Sequence, residues 1–124
     1  TEYDLMHKYH LLHKMPVQEF TKLDNKIYDL VICFDILEHL YLSEAIDTIE
    51  CLRYCSRNII IAWPTDVPQG NHEGNQYEKH KSNMTLSDLM RFDITFYQKV
   101  PLDHTAMYHY ACIRGVHGGY SSIV

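Results

Sequence analysis

Two carboxylates and a histidine, in the pattern Asp35-x-x-Glu38-His39, stand just past a nearly unbroken apolar run from Tyr28 to Phe34. Such a run, rich in β-branched residues, suits a central parallel strand covered on both faces. Residues just beyond the carboxyl end of such a strand line the crevice in which open α/β sheets bind ligands. A carboxylate and an imidazole there can exchange protons with a substrate. With His80 the same spacing offers two oxygen and two nitrogen ligands, from Asp35, Glu38, His39 and His80, to one divalent cation, and His72 could stand in for His80. A plainer reading fits the same residues: Glu38 is an acid favoured at a helix start, and His39 is satisfied by backbone.

The elements that must hold these groups follow from periodicity. Ser43 opens a helix whose Ile46, Ile49 and Leu52 share a core-facing stripe, with Arg53 near the end where a cation suits the dipole. Asn58 to Trp63 reads as a second buried strand, so the region from 15 to 63 forms a strand-helix-strand unit with a right-handed crossover by default. Residues 64–84 form a long polar loop beside the same sheet edge, where loops of this length carry function. Thr85 and Asp88 make a capping-box pattern that predicts a short helix through Met90. Ile94 to Val100 and Ala106 to Arg114 alternate apolar and polar residues, as an antiparallel pair at the sheet edge does, and 115–124 is a tail. Upstream, Leu5, Tyr9 and Leu12 predict a helix over 1–14, its His7, His10 and His13 forming a solvated face, and Pro16 ends it. Val17 to Phe20 reads as a short edge strand, and Asp24-Asn25 as a turn.

The run Tyr28-Asp29-Leu30-Val31-Ile32-x-x-Asp35-x-Leu37-Glu38-His39-Leu40 resembles the fourth-strand motif of class I S-adenosylmethionine-dependent methyltransferases. Asn58-Ile59-Ile60-Ile61-Ala62-Trp63-Pro64-Thr65 resembles the fifth strand and the proline-containing loop after it. Asn75-x-Tyr77-x-x-His80-x-Ser82, followed by Thr85-Leu86-Ser87-Asp88-Leu89, resembles a segment before a short helix in one branch of the family. The resemblance runs in order from about 15 to 114. It implies a Rossmann-like α/β domain with a mainly parallel sheet, S-adenosylmethionine as cofactor, and methyl transfer to an acceptor that is a hydroxylated metabolite, a sugar or an RNA end. It further implies that Phe34 and Asp35 touch the cofactor, that Glu19 meets the adenine amine, that Asp35 lines the acceptor side and that His39 takes the acceptor's proton. The metal reading resembles a site in some quinone O-methyltransferases and small-RNA 2′-O-methyltransferases with a Glu-x-x-Glu-His pattern and a later His, Asp35 replacing the first Glu.

One departure is large. The family's first strand and Gly-x-Gly loop have no counterpart, since none of the five glycines precedes Gly70, and only residues without Cβ let backbone approach a ligand that closely. A chain that starts at Thr1 is therefore expected to be a fragment, a trimmed form or a natural truncation. That sets a second functional reading beside the first: a catalytically silent methyltransferase-like module whose exposed apolar sheet edge is covered by a partner or a second copy. A hydrolase using Asp35 or Cys33 is the weaker third, for want of a Gly-x-Ser-x-Gly elbow.

Composition bounds the rest. The 124 residues suffice for one domain, 1–124, without repeats, linkers or low-complexity segments. A net charge of −5 disfavours duplex nucleic acid as partner, although Lys79 and Lys81 could touch a phosphate. Without a spanning segment or a signal-peptide pattern the chain reads as soluble and cytoplasmic, with no membrane partner. Cys33 and Cys112 in strands, and Cys51 and Cys55 four apart on a helix, read as structural thiols.

Overall fold

The computed structural model describes residues 15–17, 19–20, 26–67 and 80–119. Strand β1 (Tyr28–Phe34) leads through a 3-10 turn (Leu37–His39) into helix α1 (Leu42–Tyr54), then β2 (Ser56–Thr65), a second 3-10 turn (Leu86–Leu89), β3 (Ile94–Pro101) and β4 (Met107–Arg114). The sheet order is β1-β2-β4-β3. β1 pairs parallel with β2, with Ile32 opposite Ile60, while β4 is antiparallel to both β2 and β3. Hence β1, β2 and β3 run one way and β4 alone runs against them. The result is a small α/β fold of Rossmann-like type.

Apolar spacing explains α1. Ala45, Ile46, Ile49 and Leu52 form one buried stripe that packs on Cys33, Ile59, Ile61, Trp63, Ala111 and Ile113 of the sheet. Burying a side chain such as Ile49 contributes about 1.5–3 kcal/mol. The helix begins one residue earlier than Ser43 implied. Glu44 Oε1 accepts from the Tyr41 amide at 3.1 Å, so an acid in the first turn, and not a serine, satisfies a free donor at the helix start. Within the helix Thr48 Oγ1 donates to the Glu44 carbonyl at 2.8 Å, and at its carboxyl end Ser56 Oγ donates to the Leu52 carbonyl at 2.7 Å.

The expected antiparallel pair is present, but only β3 is an edge, because β4 enters between β2 and β3. Asp103 shapes the hairpin, its Oδ1 accepting from the Thr105 and Ala106 amides at 2.8 Å each. Those bonds hold its carboxyl below the usual carboxylate range.

Three expectations need correction. Val17, Glu19 and Phe20 are not strand: the Glu19 and Phe20 amides donate to the Pro16 carbonyl at 3.0 and 3.1 Å, a helical pattern that proline starts well because its φ is already set and it has no amide to satisfy. The element after Thr85 is a 3-10 turn of four residues rather than a helix through Met90, with Asp88 Oδ2 accepting from the Thr85 amide at 2.8 Å. β1 is not covered on both faces. Among the described residues it is an edge strand, with Leu30, Ile32 and Phe34 exposed on one face, Ile32 by 58%. The predicted helix over 1–14, the Asp24-Asn25 turn, His72 and the Asn75-to-Lys79 part of the loop lie outside the described residues.

All four cysteines are free. Burial pushes the Cys33 thiol up to about 12 and raises that of Cys112, which keeps both protonated and inert. Among the described residues no helix is long and apolar enough to cross a membrane.

Candidate functional site

At the end of β1 the backbone turns sharply. Asp35 still donates its amide to the Ala62 carbonyl at 3.1 Å, as a further rung of the ladder, but its φ of 56° lies in the left-handed region. Asp is one of the few residues with a Cβ that enters that region readily. This turn carries the chain away from the sheet and into the 3-10 turn, where Leu37 is fully buried and Glu38 is 2% exposed.

Burying Leu37 brings Glu38 inside, because a 3-10 turn of three residues gives little room for separate faces. Its Oε1 lies 3.6 Å from His39 Nε2, too long for a good hydrogen bond. Its Oε2 and His39 Nδ1 are buried without a partner among the described residues. Such orphans cost roughly 1–3 kcal/mol each, so their retention asks for a reason. Burial holds the Glu38 carboxyl above the usual carboxylate range.

The far end of the polar loop is stitched to the same turn. The Lys81 and Ser82 amides both donate to the Glu38 carbonyl, at 2.7 and 3.2 Å, and Ser82 Oγ donates to the Leu37 carbonyl at 3.3 Å. That docking sets His80 against His39, ring centroids 4.9 Å apart at 80°. Burial, and next the neighbouring His39, push His80 below the ordinary histidine range. One ligand atom from each of Glu38, His39 and His80 falls within 4.8 Å of the others. Two further contacts pin the base of the loop: Asp66, at φ 60°, exchanges hydrogen bonds with Asn83 at 3.0 and 3.1 Å, and Trp63 Nε1 donates to the Met84 carbonyl at 2.8 Å.

The structure thus unites three of the four expected metal ligands. Asp35 is not one of that three-residue group. Its Oδ1 instead accepts from Tyr108 Oη at 2.5 Å, and burial first, then this bond, raises the Tyr108 hydroxyl above the ordinary tyrosine range. Phe34 is exposed beside it and meets Tyr110 edge-on at 6.3 Å. Glu19 lies exposed in the helical turn, and among the described residues it has no hydrogen bond or ion pair with this cluster.

Sequence reading passed over Tyr108 and Tyr110. The signal was there: two tyrosines two apart on a predicted strand share one face. What was lacking was the sheet order that sets β4 beside β2 and so within reach of the β1 terminus.

The site thus holds one buried carboxyl and two imidazoles, of which His80 is held below the ordinary histidine range by burial. Such a group can bind a cation, take a proton from an acceptor, or both.

No protein-family model and no curated relative matches this chain. Solved structures do. Magnesium protoporphyrin IX methyltransferase (ChlM) from Synechocystis PCC 6803, with bound SAM, is similar at a TM-score of 0.52 and 19% identity, over 77% of this chain and 43% of that one. The same enzyme with bound SAH is similar at 0.52 and 19%, over 77% of this chain and 48% of that one. The chain therefore spans less than half the length of these structures. What is shared is the fold: a class I S-adenosylmethionine-dependent methyltransferase-like α/β sheet.

Proposed function

We propose that this chain is methyltransferase machinery, binding S-adenosylmethionine at the carboxyl end of β1 and transferring its methyl group to a hydroxylated acceptor. The observation that carries the reading is the pairing of a methyltransferase-like sheet with Glu38, His39 and His80 gathered just past β1, in a fold whose solved neighbours hold SAM and SAH. Methyl transfer from a sulfonium is an in-line displacement, so alignment does most of the work and a base is needed where the nucleophile carries a proton. In this reading Phe34 and Asp35 border the cofactor, Glu19 serves its adenine amine, and Asp35 faces the acceptor while His39 receives its proton. The activity is cytoplasmic, and a second copy of the chain covers the exposed apolar residues of β1.

The donor set also suits a divalent cation. The buried, unpartnered Oε2 of Glu38 and Nδ1 of His39, with His80 alongside, are the ligand types that zinc or manganese accepts. Glu38, His39 and His80 would hold it, and it would supply Lewis acidity toward an acceptor hydroxyl. Asp35, tied to Tyr108, then serves the ligand side rather than the metal.

Calorimetric titration with S-adenosylmethionine and S-adenosylhomocysteine tests the proposal. Dissociation constants in the micromolar range support it, whereas no heat of binding up to millimolar ligand removes it in favour of the silent module.

A further inference from the structure

Beside the cluster stands an aromatic wall whose two tyrosines, Tyr108 and Tyr110, have no part in the proposed chemistry. Tyr108 and Tyr110 of β4 lie 5.1 Å apart at 52°, and Tyr110 meets Phe34 of β1 at 6.3 Å and 88°. The rings therefore do not stack flat, and their faces point in different directions. Phe34 and Tyr110 are exposed and Tyr108 is half-buried. Asp35 closes one end, its Oδ1 held by Tyr108 Oη.

Charge distinguishes this wall from an ordinary apolar patch. Among the described residues no Lys or Arg pairs with Asp35, and the two cation–ring contacts lie elsewhere, Arg53 over Phe92 and Lys81 over Tyr41. A carboxylate oriented by a tyrosine, next to electron-rich ring faces and lacking a cation from the described protein, attracts a positive ligand through charge and ring quadrupole together.

We infer that Phe34, Tyr108, Tyr110 and Asp35 form a receiving surface for a small organic cation, an ammonium or sulfonium centre carrying alkyl groups. This rests in part on the methyltransferase reading, since such a centre belongs either to the cofactor, as its sulfonium, or to an acceptor that bears an amine. The recognition itself requires only the geometry of the four side chains.

The test compares choline with its uncharged isostere 3,3-dimethylbutanol, titrated against the protein by nuclear magnetic resonance, with S-adenosylmethionine and S-adenosylhomocysteine as a second pair. Choline should bind about tenfold more tightly than the isostere, with shifts at Phe34, Tyr108 and Tyr110, as cation–ring contacts of moderate strength require. That ratio should fall toward one in Asp35→Asn, which keeps a residue tolerant of the left-handed backbone, and in Tyr110→Leu. If choline is displaced by S-adenosylmethionine, the occupant is the cofactor's sulfonium; if choline still binds to protein saturated with S-adenosylhomocysteine, it is the acceptor's amine. Equal binding of choline and the isostere, or a preference untouched by both substitutions, overturns the inference. Failure of both nucleosides to bind would remove the methyltransferase reading yet leave the choline comparison intact.

Discussion

Replacing Glu38 by Met should make the metal-free protein more stable while abolishing its response to divalent cations. The side chain is 2% exposed, its Oε2 has no partner among the described residues, and its Oε1 has only a 3.6 Å approach to His39. Removing a buried polar group of this kind recovers about 1–3 kcal/mol of desolvation, and Met occupies a similar volume without strain. The backbone bonds from Lys81 and Ser82 go to the Glu38 carbonyl and survive the change. For a chain of 124 residues, each kcal/mol moves Tm by about 4 °C. The gain has a pH signature. Burial raises the Glu38 pKa in the folded state, so the folded protein binds the proton more tightly than the unfolded one. Its stability contribution is thus full below the ordinary value near 4.5 and is lost as pH rises through the raised value. The advantage of Glu38→Met should therefore be largest at neutral pH and shrink in acid. Urea unfolding at pH 7 and pH 4, and Tm with and without excess manganese or zinc, measure both effects. A loss of more than about 1 kcal/mol in the metal-free variant would refute the reasoning, because the carboxylate would then be supporting the fold. An unchanged metal response would refute the ligand assignment.

Other outcomes follow from separate parts of the structure. Trp63→Phe deletes the 2.8 Å bond from Nε1 to the Met84 carbonyl and thins the stack on His109, so urea unfolding should show a loss of about 1–3 kcal/mol. His109 is buried between Thr65 Oγ1 at 2.7 Å and Tyr97 Oη at 2.6 Å, and burial lowers its pKa. The unfolded state therefore binds the proton more readily, and stability should fall as pH drops below about 6.5; His109→Gln should remove that part of the slope in a comparison of unfolding curves at pH 7.5 and 5.5. Gly115→Ala should destabilise by about 1–3 kcal/mol, since a Cβ there would meet the Ser56 carbonyl oxygen at 2.1 Å, whereas at Gly119 the added Cβ would meet no atom of the described residues within 4 Å, so Gly119→Ala should leave Tm within about 2 °C of the parent.

Local pattern carried much of this. The apolar run from Tyr28 to Phe34 announced β1, Ile46, Ile49 and Leu52 announced the buried face of α1, and Asn58 to Trp63 announced β2; adjacency alone put Glu38 beside His39 at the strand's end. Those features depend on neighbours a few residues away, and burial of a helix stripe or strand face imprints its period directly on the sequence. Two of the readings that failed were of short segments, the one around Val17 and the stretch after Thr85, where too few residues exist to show a period; the third, that β1 is covered on both faces, failed because an apolar run does not say which neighbours will cover it.

Tertiary structure alone decided the composition of the site. His80 reaches His39 because two amides of the loop's end bind the Glu38 carbonyl, and Asp35 leaves the would-be metal group because Tyr108, 73 residues away, holds its carboxylate. The second of these depends on β4 entering between β2 and β3, which places Tyr108 near the end of β1. The amino acids along one segment record how deeply that segment is buried, but not which distant side chain will occupy the space opposite it.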